Sequence, residues 1–170
     1  MTYTFLTLAS PVGELKLVAN GSRLAAILWE NDKPGRVRLG TMSEAPGNPI
    51  LQRTARQLRE YFAGTRRQFE LDLEFAGTEF QKKVWAALLT IPYGETRSYS
   101  QIADQIGNPA AVRAVGAANG KNPISIVAPC HRVIGASGKL TGFAGGLDAK
   151  ERLLDLEGGQ WGATSRLPGF

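Results

Sequence analysis

The chain of 170 residues has few of the side chains that build metal sites and disulfide frameworks. It contains one cysteine, Cys130, and one histidine, His131. A single cysteine cannot form an internal disulfide, and a structural zinc site needs about four ligands of this kind. We therefore expect no metal and no cofactor, and a reducing cytoplasmic location.

Long apolar runs are also missing. No stretch approaches the roughly 20 apolar residues that a membrane-spanning helix needs. The opening MTYTFLTLASPVG has no basic residue before its apolar part, so we expect no signal peptide and no membrane partner. Apolar residues make up 43% of the chain and charged residues 21%, as in ordinary globular domains.

Acidic residues are scarce in one window of a chain whose net charge is +5. Between Arg97 and Lys139, Asp104 is the only acid. An excess of basic residues favours a polyanionic partner, although a solvated surface with few acids would give the same pattern. The basic residues of this window are Arg97, Arg113, Lys121, Arg132 and Lys139.

The N-terminal part has the alternation of a small sheet. Residues 2–29 alternate apolar and polar positions between turn-forming residues, which predicts three short antiparallel strands. The Gly- and Pro-containing residues 30–48 predict a flexible loop. Apolar positions three and four apart predict a helix over 50–63, and FELDLEF at 69–75 predicts one more strand.

From Gly77 onward the pattern becomes helical. Thr78 is predicted to cap a helix that ends at Pro92-Tyr93-Gly94. The residues Asp148 to Glu151 are a candidate capping box for a last helix that reaches Leu156.

Two further helices are predicted between these. Ser100 is expected to cap a short helix that stops at Gly107, and Asn108 to cap the next, with Pro109 in its first position. Two short helices joined through Gly-Asn-Pro have the layout of a helix-turn-helix.

These elements predict an α+β protein. Residues 1–76 would form a supporting domain, a small antiparallel sheet with a helix. Residues 77–158 would form a mostly helical domain that contains the helix-turn-helix and Cys130. Residues 159–170 would be a loosely held tail.

The adjacent Cys130 and His131 are a candidate nucleophile and base. A free thiol has a pKa of about 8.5, so it needs a partner to become a thiolate. Adjacent side chains in a strand point apart, but Pro129 favours a turn that, with or without a bridging water, would link the two. A carboxylate would have to orient the imidazole. A lone cysteine is also commonly a small buried hydrophobe.

Residues 77–158 resemble a known family. The matching segments are FQKKVWAALLTIPYGETRSYSQIA, RAVGAANGKNPISIVAPCHRVIGASGKLTGFAGG and KERLLDLEG. In this order they resemble the methylated-DNA–protein-cysteine methyltransferases, the O6-alkylguanine-DNA alkyltransferase family. Residues 1–76 resemble the preceding domain of that family more loosely.

The resemblance implies a role for each catalytic residue. Cys130 would attack the alkyl carbon on O6 of guanine, or on O4 of thymine, in duplex DNA after base flipping, in an irreversible, stoichiometric transfer. His131 would act through a water as its base, and Glu157 would orient His131. Asn122 would brace the site, and Tyr99 would protonate or polarise the leaving guanine.

The resemblance also implies DNA and pocket contacts. Arg113 would replace the flipped base in the stack. Phe143 and Ala144 stand where some relatives have Tyr and Ser, which removes two hydroxyl groups from the pocket wall. The implied DNA contacts are Arg113, Tyr99, Ala114, Gly116 and Ser125. The implied pocket residues are Pro129, Val133, Phe143, Ala144 and Gly145.

The expected partner is double-stranded DNA that contains O6-alkylguanine, bound by a monomer that could assemble cooperatively along it. Three alternatives stay open at this point. The chain could be an alkylation-sensing DNA-binding regulator, a non-catalytic damage-binding protein of the same fold, or a cysteine hydrolase.

Overall fold

The computed structural model describes residues 2–138 and 140–158, and the predicted tail at 159–170 lies outside them. The chain forms two compact units. The first unit runs to Ala76 and also includes Pro123–Ser125. The second unit contains residues 77–122 and the chain from Ile126 onward. The mixed α+β class predicted from the sequence is confirmed.

The first unit contains a four-stranded sheet with the strand order β3-β2-β1-β4. The three predicted antiparallel strands are present, with Gly21 and Ser22 between β2 and β3. Gly21 has a φ of 61°, which a residue with a side chain rarely adopts in such a turn. The strands are β1 (Tyr3–Leu8), β2 (Leu15–Asn20), β3 (Arg23–Trp29) and β4 (Met42–Glu44).

The fourth strand lies inside the predicted loop 30–48, so that prediction was incomplete. β4 pairs in parallel with β1 over only three residues. A three-residue strand is too short to show alternation, so its pairing could not be found locally.

The strand predicted at 69–75 is wrong. Only Leu73 forms a bridge, to Leu24 at the edge of the sheet. The Leu24 amide donates to Asp72 (2.8 Å), and the Glu74 amide donates to the Leu24 carbonyl (2.9 Å). The segment therefore meets β3 at one point and does not run along it.

Helix α1 (Pro49–Phe62) packs against this sheet. Asn48 caps it by accepting from the Ile50 amide, and Pro49 occupies the first helical position, where a missing amide hydrogen costs nothing. Gly64 follows with a φ of 80°. The predicted helix over 50–63 is confirmed.

The second unit begins with α2 (Glu79–Leu88). Thr78 and Gln81 form a reciprocal capping box, so the predicted cap is confirmed. The Trp85 indole is buried and donates to the Ala118 carbonyl at 2.8 Å. A Cβ on Gly77 would come within 2.6 Å of the Trp85 ring, so only glycine fits there.

The helix-turn-helix is formed by α3 (Tyr99–Gln105) and α4 (Val112–Gly120), which pack together. The predicted cap of α3 is wrong, because Ser98 caps it and not Ser100. Ser98 has Gln101 three residues later and forms a capping box, whereas the residue in that position relative to Ser100 is an alanine.

The predicted start of α4 is also wrong. Asn108 and Pro109 belong to a turn closed by the Ala111 amide donating to the Asn108 carbonyl at 3.0 Å. The helix begins after that turn without a side-chain cap. In α3, by contrast, the cap at Ser98 makes Tyr99 the first residue of the helix.

Helix α5 (Leu147–Leu156) lacks the predicted capping box. Gly146, with a φ of 91°, occupies the cap position, and Asp148 already lies in the first turn. The remaining elements are β5 (Arg97–Ser98), a 3₁₀ turn (Cys130–Arg132) and β6 (Val133–Ile134), with β5 and β6 paired in parallel.

Among residues 2–138 and 140–158, no helix combines the length and apolar character needed to cross a membrane.

Candidate active site

A 3₁₀ turn at Cys130–Arg132 presents the candidate nucleophile. Pro129 precedes it with φ −80° and ψ 67°, and the Cys130 amide donates to the Ala128 carbonyl at 2.7 Å. The backbone is therefore not extended here, and the strand geometry that would point Cys130 and His131 apart does not apply. Cys130 is 3% exposed.

His131 lies fully buried against a carboxylate. Its Nε2 is 2.7 Å from Oε2 of Glu157. Burial lowers the pKa of His131, and the opposing hydrogen bond and charge of Glu157 do not fully offset this, so the ring is neutral at neutral pH. A neutral ring facing a carboxylate carries its hydrogen on Nε2.

The other ring nitrogen, Nδ1, therefore carries the lone pair. It is buried and has no hydrogen-bond partner in the described part of the chain. An acceptor left unpaired in the interior costs free energy, so this atom is available for a proton from a nearby group or a bridging water. His131 thus has the state that a general base requires.

Glu157 is held by Arg132 as well as by His131. Arg132 Nε donates to Glu157 Oε1 (2.8 Å) and Nη2 to Oε2 (3.0 Å), while Nη1 donates to the Ile91 carbonyl (2.6 Å). Burial would raise the pKa of Glu157, but His131 and then Arg132 outweigh it and hold the pKa well below its usual range. The carboxylate is therefore ionised and fixed in place.

Two asparagines hold the backbone around Cys130. Asn122 is fully buried, and its Nδ2 donates to the Ala128 carbonyl at 2.8 Å. Asn119 Nδ2 lies 3.5 Å from the Cys130 carbonyl. The first of these contacts has the form expected of a bracing residue.

Lys150 is a buried cation that the sequence predictions missed. Its Nζ donates to the Val133 carbonyl (2.7 Å) and to Thr141 Oγ1 (3.3 Å). Burial lowers its pKa to about 8, against a smaller raising effect from the charge of Cys130. A local signal existed: Lys150 shares one helical face with Leu153, Leu154 and Glu157, a spacing typical of buried positions.

Comparison with known proteins decides the family. The sequence model of the 6-O-methylguanine DNA methyltransferase DNA binding domain matches residues 79–159. That of the 6-O-methylguanine DNA methyltransferase ribonuclease-like domain matches residues 1–75. The chain belongs to the 6-O-methylguanine DNA methyltransferase family.

Several methyltransferases are similar over nearly their whole length. The methylated-DNA–protein-cysteine methyltransferase of Mycobacterium tuberculosis is 52% identical over 155 residues, covering 90% of this chain and 91% of that protein. The protein of the same name from Methanosarcina acetivorans is 51% identical over 150 residues, covering 88% and 94%. The crystal structure of M. tuberculosis OGT in complex with DNA matches with a TM-score of 0.84 and 48% identity, covering 97% and 95%.

The family resemblance seen in the sequence is therefore confirmed. The regulator, damage-binding and hydrolase alternatives are not favoured, because the relatives that match along most of the chain are named as methyltransferases.

The outer face of α4 in this methyltransferase is exposed and carries mostly small side chains. Arg113 and Ala114 are exposed, Gly116 is half-buried, and a Cβ on Gly116 would lie 3.9 Å from the Tyr99 ring. Tyr99 is half-buried, and its hydroxyl bonds Thr141 Oγ1. The structure thus places Arg113, Ala114 and Gly116 on one short helix and Tyr99 against that helix.

Some basic residues of the window between Arg97 and Lys139 are paired with acidic residues. Arg132 is buried with Glu157, and Arg97 pairs with Glu95 at 3.1 Å. Arg113 and Lys121 are exposed in the described part of the chain. The window therefore supplies fewer unpaired surface cations than a count of its basic residues implies.

Ser125 does not lie on an exposed surface. It is fully buried in the first unit, where its Oγ accepts from the Trp29 indole at 3.1 Å. Its side chain is occupied by that bond and is not exposed for contact with DNA.

The predicted pocket residues fall into two groups. Pro129 and Val133 are buried beside the 3₁₀ turn, whereas Phe143, Ala144 and Gly145 are half-buried in the loop before α5. The Phe143 ring lies 5.9 Å from Lys150 Nζ. The loop is thereby connected to the buried cation.

Proposed function

We propose that Cys130 is the residue of this methyltransferase that accepts the alkyl group in direct-reversal DNA repair. The observation that carries this is the buried pair of His131 and Glu157 directly after the buried Cys130, with an Nδ1 on His131 that is unpartnered among the described residues. The substrate is O6-alkylguanine in duplex DNA, and O4-alkylthymine is a second substrate.

His131 prepares the nucleophile. Nδ1 takes the thiol proton of Cys130 through a bridging water, and Glu157 stabilises the imidazolium that forms. Arg132 keeps Glu157 ionised, since the guanidinium stays charged at every pH of interest. The thiolate then attacks the alkyl carbon.

The transfer breaks the bond between that carbon and O6. Its electron pair goes to the guanine, and the thiolate pair forms the new carbon–sulfur bond. Tyr99 donates a proton to the leaving base and recovers one from solvent, and the imidazolium of His131 releases to solvent the proton it took from the thiol. The products are a thioether on Cys130 and an unmodified guanine.

Base flipping is required for access. A buried thiol cannot reach an alkyl group inside a duplex, and extrusion of a base costs a few kcal/mol. Arg113 fills the vacated position in the stack, which offsets part of this cost. Ala114 and Gly116 let α4 approach the DNA closely, with contacts that carry little sequence preference.

The protein acts once. A thioether has no activated carbonyl for water to attack, and the chain has no second cysteine that could remove the alkyl group. Repair is therefore stoichiometric. The acting species is a monomer that can assemble cooperatively along DNA. A chain with a single cysteine suits the reducing cytoplasm.

Mass spectrometry after mixing with an oligonucleotide duplex that contains O6-methylguanine tests the proposal. One methyl group should appear on Cys130 and repair should stop near one equivalent, while Cys130→Ser should gain none. Linear turnover beyond one equivalent, or methylation at another residue, would overturn it. A protein that binds the duplex and gains no methyl would be a damage-binding protein.

A further inference from the structure

Thr141 connects two groups on either side of the site. It is half-buried in the loop that leads to α5. Its Oγ1 bonds the hydroxyl of Tyr99 and also lies 3.3 Å from Lys150 Nζ. No family resemblance singled this residue out, and nothing in the reaction described above uses it.

The chemistry of the three groups fixes the direction of the bond between Lys150 and Thr141. A lysine ammonium has three donors and no acceptor, so Thr141 Oγ1 must accept from Lys150. The bond between Thr141 and Tyr99 can run in either direction, because both are hydroxyl groups, and the single hydrogen of Thr141 can be donated to the Tyr99 oxygen. When Thr141 donates to that oxygen, the hydrogen of Tyr99 is not used within the protein.

Lys150 is well placed to favour this direction, because a cation that donates to Thr141 Oγ1 makes the Thr141 hydroxyl a stronger donor. It is fully buried, and its second bond, to the Val133 carbonyl at 2.7 Å, ties it to the strand that follows the 3₁₀ turn. The Phe143 ring lies on the same ammonium. The cation is therefore anchored between the segment that carries Cys130 and the loop that carries Thr141.

We propose that Thr141 is a positioning residue for alkyl transfer: it passes the polarisation of Lys150 to the Tyr99 oxygen and leaves the Tyr99 hydrogen to be donated to the leaving base. Donation onto the tyrosine oxygen makes its O–H a stronger donor, since consecutive hydrogen bonds polarise one another. The proposal rests on the proposed function, in which Tyr99 protonates the departing guanine.

The matched variants are Thr141→Val, which keeps the shape and removes the hydroxyl, and Thr141→Ser, which keeps the hydroxyl. Single-turnover methyl transfer from O6-methylguanine duplex, at saturating protein, should slow about tenfold in Thr141→Val, as expected for one lost hydrogen bond. Thr141→Ser should stay within about twofold of the wild type. Thr65→Val, which loses a hydroxyl in the first unit, is the control.

A second reagent separates the leaving group from the nucleophile. Iodoacetamide alkylates the Cys130 thiolate and releases iodide, which needs no proton. Its rate with Cys130 should be the same in Thr141→Val as in the wild type. Equal slowing with both reagents would show that Thr141 acts on Cys130 or on the fold, and would overturn the proposal.

A double variant tests whether Thr141 acts through Tyr99. In Tyr99→Phe, adding Thr141→Val should cause no further loss, whereas independent losses that multiply would contradict the relay. If Thr141→Val does not fold, Thr141→Ala serves as the hydroxyl-free variant. A wild-type protein that gains no methyl refutes the proposed function itself, whereas a wild type that reacts and variants that match it refute only the role of Thr141.

Discussion

The core around Cys130 and the outer face of α4 satisfy their polar groups in different ways. In the core, the charges of Glu157 and Arg132 are buried, and each is paired with the other. On α4, Arg113 projects from a surface of alanine and glycine and is exposed. The charges of the first region are therefore paired inside the protein, whereas the charge of Arg113 is open to a ligand. Changes in the core should therefore reduce stability and reaction together, whereas changes on the exposed face of α4 should weaken the action on DNA without loss of stability.

The largest effect is expected from Glu157→Gln. A neutral amide leaves Arg132 buried without its counter-charge, and breaking a buried pair costs about 3–5 kcal/mol of unfolding free energy. Urea denaturation measures this loss. Asp155→Asn, an exposed acid on the same helix, should change the free energy by less than about 0.5 kcal/mol. Similar values for both variants would mean that the core is not the more dependent region.

Arg113→Ala should produce the opposite pattern. We expect unfolding free energy within about 0.5 kcal/mol of wild type, because the side chain is exposed. Methyl transfer from duplex DNA should slow roughly 10- to 100-fold, since a few kcal/mol of base extrusion loses its compensation. A single-stranded substrate needs no replacement in a stack and should react almost normally. Equal slowing on both substrates would contradict the role in flipping.

The pH dependence of stability sharpens the view of the core. Burial lowers the pKa of His131 below its usual 6.5, so the unfolded chain binds a proton that the folded protein does not. Unfolding free energy should therefore fall as pH drops below about 6.5, with a slope that approaches 1.4 kcal/mol per pH unit.

Between pH 5 and 7 this slope reports on His131, because it is the chain's only histidine. The pKa of Glu157 is lowered from 4.5, so its contribution to stability is lost only at lower pH. Urea denaturation at several pH values between 7 and 5 measures the slope. It should be much smaller in His131→Gln, and an unchanged slope would show that His131 does not titrate as described.

The smallest effect is expected from Gly116→Ala. The new methyl group makes an ordinary contact with the Tyr99 ring at 3.9 Å. Alanine favours a helix over glycine by up to about 1 kcal/mol, so thermal stability should rise. Duplex binding, measured by fluorescence anisotropy, should weaken by a few fold, roughly 0.5–1 kcal/mol. A fall in stability would mean that the helix has no room for the methyl group.

The elements that the sequence predicts correctly are those that local patterns define. The alternation in residues 2–29 and the Thr78 capping box are examples. The same capping-box rule, applied to Ser98 and Gln101, would have predicted the correct cap of α3 in place of Ser100. β4 is different, because its three residues form a strand only through pairing with β1, some 40 residues earlier.

The same division applies to the site. The family motifs identified Cys130, His131 and Glu157, which the structure brings together, although their roles remain predictions. Lys150 left a local trace in the spacing of its helix. Thr141 left none, since its partners Tyr99 and Lys150 lie 42 and 9 residues away in the chain.

Pro123–Ser125 belongs to the first unit although it lies far beyond residue 76 in the sequence. Two contacts tie them to β3 of that unit: the Pro123 carbonyl accepts from the Ile27 amide, and Ile124 forms a bridge to Ile27. A hybrid between this protein and a relative, joined at residue 76, would therefore combine a sheet from one parent with its edge segment from the other. Such hybrids should be tolerated best when residues 123–125 are inherited together with the first 76.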